Sequence, residues 1–117
     1  MRQLYVLDAV NKEVRIWDVS RVSEGVAPSQ LGVVPVAGLS GNESGCAYDC
    51  GRDGWLQLSI DGRYAFVGDS GDVIETATRR VIANLPTLAN TRKSIEIEWA
   101  GGLPIATSTR LGVGKVG

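Results

Sequence analysis

An all-β fold is what this sequence predicts, on three observations. Short runs of alternating apolar and polar residues recur, most densely in "WLQLSIDGRYAFVGDSGDVIETATRRVIANLP" (residues 55–86). Tight-turn signals separate these runs, Asp61-Gly62 and Ser70-Gly71 foremost. Asp-Gly suits a two-residue hairpin because both turn positions tolerate positive φ. No segment shows a helical period, in which apolar residues would recur every three or four positions. Short strands joined by Gly-rich turns make antiparallel meanders.

The elements follow in order. "QLYVLDA" (3–9) is rich in strand formers, "VNK" supplies a turn, and "EVRIWDV" (13–19) alternates again. Val14 and Ile16 fall on one face of that strand, Arg15 and Trp17 on the other. "SRVSEGVAPSQ" reads as a polar connection and "LGVVPV" (31–36) as a third strand, with Pro35 marking an edge or an end. Residues 37–54, "AGLSGNESGCAYDCGRDG", have no periodicity and read as a loop inserted between strands. Loops of this length are usually functional or mobile. Four strands over 55–60, 63–69, 72–76 and 80–85 are expected in one sheet in sequential order. In the first of them Leu56, Leu58 and Ile60 are expected to point inward, Gln57 and Ser59 outward. After "TLANTRK" comes "SIEIEWA" (94–100), with Ile95, Ile97 and Trp99 on one face and Ser94, Glu96 and Glu98 on the other. Gly101-Gly102 then turns the chain into "LPIATST". The final "RLGVGKVG" reads as a flexible tail, because its "GVGK" lacks the earlier Gly and the following Ser or Thr of a phosphate loop.

Composition bounds the chemistry. A chain of 117 residues is expected to form one domain with a modest core. Its net charge of −1 comes from interspersed acids and bases, so no nucleic acid and no membrane surface is expected as a partner. No apolar run approaches the ~20 residues that span a bilayer. The start, "MRQLYVLDAV", lacks the pattern of a signal peptide. The chain contains no histidine. A Ser-His-Asp triad, a Cys-His pair and histidine metal ligation are therefore excluded within it. No catalytic, cofactor-binding or metal-binding residue is assigned, and no cofactor is expected.

Some residues still call for a role. Cys46 and Cys50 form C-x3-C in the inserted loop, open to three readings: free thiols, a local disulfide, or a metal site helped by Glu43, Asp49 and Asp53. Tyr48, Asp49, Arg52 and Asp53 on the same loop are candidate recognition residues, Tyr48 as an aromatic on a Gly-rich segment. Glu96 and Glu98 read as the solvated side of a strand rather than an acid–base pair. Asp69 and Asp72 read as turn residues. Trp17, Trp55 and Trp99 are expected to pack between sheets.

The first half echoes the second. "LYVLDAVNKEVRIWDVS" aligns with "RYAFVGDSGDVIETAT", which matches Tyr5 to Tyr64 and Asp18 to Glu75. Recurrence of the acids suggests that they bind backbone amides of the turns that follow. The stretch "LSIDGRYAFVGDSGDVIETATRRVIANLP" resembles one blade of a YVTN-type β-propeller, of the surface-layer and quinoprotein amine dehydrogenase-like kind. Ser59-Ile60-Asp61-Gly62 stands where that family has a Ser-Pro-Asp-Gly-like turn, with Ile in the Pro position. Tyr64 begins the "Y-x-Y-V"-like strand, Glu75 replaces the usual Asp of "V-I-D-T-A-T", and "RRVIANLP" matches the outer strand.

The resemblance implies a single partial propeller domain over 1–117. Residues 3–36 would be the last three strands of a blade, 37–54 an inserted loop, 55–86 a complete blade and 94–107 the first strands of a further one. That is about two and a half blades, where propellers typically have about four to eight. It further implies a non-catalytic repeat module, a scaffold for a protein or small ligand or a fragment of a larger propeller. The alternative is part of a propeller enzyme, lactonase- or quinoprotein dehydrogenase-like, whose site needs the missing blades. The expected partners are other copies through open blade edges, the missing N-terminal blades, or an unknown protein or small ligand. Intact relatives imply a periplasmic or secreted location.

Overall fold

The computed structural model describes residues 1–42, 50–89, 91, 94–109 and 112–115. Its strands form three antiparallel sheets, none closed on itself. The first contains β1 (Gln3–Asp8), β2 (Glu13–Asp18) and β3 (Ser29–Pro35) in that order. The second contains β4 (Trp55–Leu58), β5 (Tyr64–Gly68), β6 (Asp72–Glu75) and β7 (Arg80–Asn84), again sequential as expected. The third contains β8 (Glu96–Ala100), β9 (Leu103–Thr109) and β10 (Gly112–Lys115), with β9 in the middle. The helical structure described is two three-residue 3-10 turns, Val22–Glu24 and Pro86–Leu88.

β10 corrects the reading of the tail. Gly112 to Lys115 pair with Thr109 to Ala106 and give the third sheet a third strand. A backbone ladder needs no apolar pattern on the added strand, so periodicity did not reveal it.

The second sheet is the middle layer. β4 lies against β1 on one side and β9 on the other. Toward the first sheet it presents Ala65, Val67 and Ile74, which pack with Val14, Ile16 and Val34, flanked by Tyr5, Leu7 and Leu56. Register explains the grouping: Leu7 sits opposite Val14 and Tyr5 opposite Ile16, so the four share one face. The expected facing of Val14 and Ile16 is thus observed, and both are fully buried.

The facing of β4 needs correction. Trp55, Gln57 and Ser59 are buried, while Leu58 is 42% exposed. Alternation identifies two faces but not which is covered, and here both are covered to different degrees. Gln57 is buried because the third sheet and the segment leading into it supply its hydrogen-bond partners, whereas Ser59 is satisfied locally by Asp61 and the Tyr64 amide. Gln57 Nε2 donates to the Ser108 carbonyl at 2.9 Å, and Ser94 Oγ donates to Gln57 Oε1 at 2.7 Å. Ser108 Oγ donates to the Leu58 carbonyl at 3.1 Å.

β8 departs from its reading in part: Glu98 is exposed as expected, but Glu96 is not. Glu96 is only half exposed and accepts a hydrogen bond from the Ile60 amide at 3.0 Å, so it is not on a solvated face. Ile95, Ile97 and Trp99 are exposed, Trp99 by 60%. Of the three tryptophans expected between sheets, Trp55 is buried, Trp17 is half-buried and Trp99 stands in solvent.

Candidate functional site

The inserted loop springs from one end of the middle sheet, and its base is a cross-linked cluster of buried polar groups. The loop leaves β3 at Val36, whose amide donates to the Lys12 carbonyl at 3.0 Å. The next amide, of Ala37, donates to Asp72 Oδ2 at 3.1 Å. On its return, the Gly54 amide donates to Asp69 Oδ2 at 3.3 Å. Asp69 and Asp72 flank the tight β5–β6 turn, so this turn clasps both ends of the insertion.

Local sequence accounts for the clasp. Asp69 adopts φ +65°, a left-handed conformation that Asp tolerates better than most residues. Gly71 has φ +81°, and a Cβ there would come within 2.6 Å of the Leu85 carbonyl oxygen. Asn84 Nδ2 donates to both the Ser70 carbonyl and Asp72 Oδ1, at 3.1 and 3.0 Å. The Asp69 amide donates to the Leu88 carbonyl at 3.0 Å, which holds the 3-10 turn against the same cluster. Asp69, Ser70 and Asp72 are all buried. They therefore do more than form a turn: they anchor the insertion to the sheet. Of the matched acids, Asp18 accepts the Ser20 amide at 2.9 Å, as the repeat suggested, whereas Glu75 accepts the Thr78 hydroxyl at 3.0 Å.

Above the clasp, the described part of the loop is a short stem. Asn42 bridges Gly51 in antiparallel fashion, and the Arg52 amide donates to the Gly41 carbonyl at 2.9 Å. Leu39 is buried in the core below. Of the candidate recognition residues, Asp53 is exposed and Arg52 half-buried on the stem. Tyr48 and Asp49 lie outside the described residues, as does Glu43. Cys50 is disulfide-bonded. Its expected partner Cys46 lies outside the described residues. Among the described residues no group of three or more His, Cys, Asp or Glu side chains is placed to hold a metal ion.

Two further depressions lie between sheets. One of about 370 Å³, at the opposite end from the insertion, is lined by Gln3, Tyr5, Leu58, Gly62, Thr76 and neighbours. Burial raises the pKa of the Tyr5 phenol there, opposed by the charge of Arg79, and its hydroxyl donates to Gln3 Oε1 at 3.1 Å. The other, about 250 Å³, lies between the second and third sheets beside Gln57, Phe66, Leu88 and Glu96. Neither brings a nucleophile against a general base. The chemistry the loop end offers is charge and hydrogen bonding on a rigidly held stem.

The sequence reading missed the clasp. Its signal was present in Asp69 and Asp72 on either side of Ser70-Gly71, but only the fold brings Ala37, Gly54 and Asn84 to them. The chain matches no family model, no curated protein and no solved structure.

Proposed function

We propose that this chain is a non-catalytic repeat module of β-propeller type, a stack of blade-like sheets that presents the 37–54 insertion to a protein or small ligand. The observation that carries this reading is the middle sheet. Four sequential antiparallel strands are flanked on both faces by neighbouring sheets, as a blade in a radial stack would be. The blade-like sequence features fall into this sheet: the Ser59–Gly62 turn, Tyr64 at the start of β5 and Glu75 at the end of β6. The Ser59 hydroxyl donates to Asp61 Oδ1 at 2.7 Å, and the Arg63 amide donates to the same oxygen at 3.0 Å. This gives the Asp-Gly turn the rigidity a repeating unit needs. Loops held on a rigid scaffold commonly carry recognition, and the clasped insertion fits that pattern.

The enzyme alternative has a direct test. The purified chain is assayed for hydrolysis of γ- and δ-lactones and for dye-linked oxidation of primary amines. The scaffold reading expects no turnover above the buffer rate. Turnover that persists through purification and is lost on unfolding would overturn it.

A further inference from the structure

The cleft between the first and second sheets holds a cation without a counterion. Arg79 closes the β6–β7 turn at φ +55°, an uncommon conformation for a long side chain, and its amide donates to the Glu75 carbonyl at 2.8 Å. The side chain crosses to the inner face of the first sheet, where a Cβ on Gly32 would lie 3.4 Å from Arg79 Cδ. Gly32 stands opposite Ile16, and Ile16 opposite Tyr5, so the three form one row across that face. At the end of the row the Arg79 charge opposes the burial that raises the Tyr5 pKa, which puts the guanidinium within electrostatic reach of the phenol.

Arg79 is half-buried, and its Nε is buried with no hydrogen-bond acceptor. Among the described residues no ion pair includes it, whereas Arg15 and Arg21 hold carboxylates at 2.7 and 2.8 Å. A guanidinium stays charged at every working pH, and stripping its water without supplying an acceptor is unfavourable. The nearest acids in sequence are taken up by their own turns. Glu75 accepts the Thr78 hydroxyl, and Asp61 accepts the Ser59 hydroxyl and the Arg63 amide.

Tyr5 also lines the depression of about 370 Å³, within the ~300–1,000 Å³ usual for small-molecule sites. No charged side chain is in its described lining. Tyr5, Leu58 and Ala77 give it an apolar wall, and Gln3 Nε2 is held only by the Met1 sulfur, a weak acceptor at 3.6 Å. One guanidinium balances one negative charge, and the apolar wall suits a carbon body. A monocarboxylate meets both conditions better than phosphate.

We propose that this cleft binds a small organic carboxylate, its anionic group on the Arg79 guanidinium and its body in the depression beside Tyr5 and Leu58. The site lies at the opposite end from the insertion and does not rest on the repeat-module reading.

Amide chemical-shift titration of the full chain tests it, with benzoate as probe and benzamide and inorganic phosphate as controls. Benzoate should give saturable shifts at Tyr5, Gly62 and Thr76. Benzamide, which lacks the charge, should bind about tenfold more weakly or worse. Arg79→Asn, chosen because Asn tolerates positive φ, should abolish the benzoate shifts, and Arg80→Gln on exposed β7 should leave them as in the wild type. Circular dichroism verifies that both variants fold, and the benzoate–benzamide comparison decides the matter without them if they do not. No saturable benzoate shifts, benzamide binding as tight as benzoate, phosphate binding tighter than benzoate, or full binding by folded Arg79→Asn would each overturn the proposal.

Discussion

Between the first and second sheets, Val14, Ile16 and Val34 meet Ala65, Val67 and Ile74. Between the second and third, contact runs through Gln57, Ser94, Ser108 and Glu96. The apolar contact supplies stabilisation in proportion to the area it removes from water and imposes little direction. The hydrogen-bonded contact contributes less net free energy, yet each bond has a narrow geometry and its loss leaves a buried group unpaired. The first interface therefore holds the molecule together, and the second sets the position of the third sheet on the middle one.

Breaking the apolar interface should have the largest effect. Ile16 is fully buried in it, and Ile16→Ala should cost about 4 kcal/mol in denaturant unfolding, the sum of lost transfer energy and a residual cavity. Gly68→Ala probes the far face of the middle sheet. A Cβ at Gly68 would lie 1.8 Å from Trp55 Cε2, so the indole must move and give up its 2.8 Å bond to the Thr91 carbonyl. The expected loss is about 3 kcal/mol, with a shift in tryptophan emission. Gln57→Leu keeps volume but strips the Ser94 hydroxyl and Ser108 carbonyl of their partner, at about 2 kcal/mol. Hydrogen exchange in that variant should accelerate in β8 and β9 more than in β1 and β2; uniform acceleration would contradict the division between interfaces.

These two interfaces also show what was legible in the sequence. The apolar one was readable, because Val14 and Ile16 alternate with polar residues on a strand bounded by turns. The polar one was misread, because Gln57 looks solvated until Ser94 and Ser108 satisfy it, and they are 37 and 51 residues away. The same blindness put Trp99 between sheets, where it is 60% exposed. The candidate site was half legible: its loop was evident from composition, but its anchors at Asp69 and Asp72 depend on contacts that only the fold creates.

The smallest expected effect concerns the turns. Asp61 is held below the usual carboxylate range by the Ser59 hydroxyl and then the Arg63 amide. Asp8 is lowered by the Asn11 amide and side chain, and Asp18 by the Ser20 side chain and amide. Each folded-state pKa lies below its unfolded value. The stabilisation is therefore complete above about pH 4 and is lost as pH falls through the folded pKa. Asp61 is exposed and Asp8 and Asp18 remain in contact with solvent, so the loss is gradual and small. Asp61→Asn should flatten the acid limb of the stability–pH curve slightly; an unchanged limb would show that this turn contributes nothing.

In this fold the middle sheet is covered on both faces and each outer sheet on one. Hydrogen exchange by mass spectrometry, at submicromolar concentration where association between copies is disfavoured, tests it most directly. Exchange should be slowest in peptides covering β5 and β6, the interior strands of the doubly covered sheet, with β2 and β9 intermediate and the edge strands β3 and β8 fastest. Exchange in β9 or β2 slower than in β5 and β6 would contradict it, because the most protected layer would then be one whose outer face stands open.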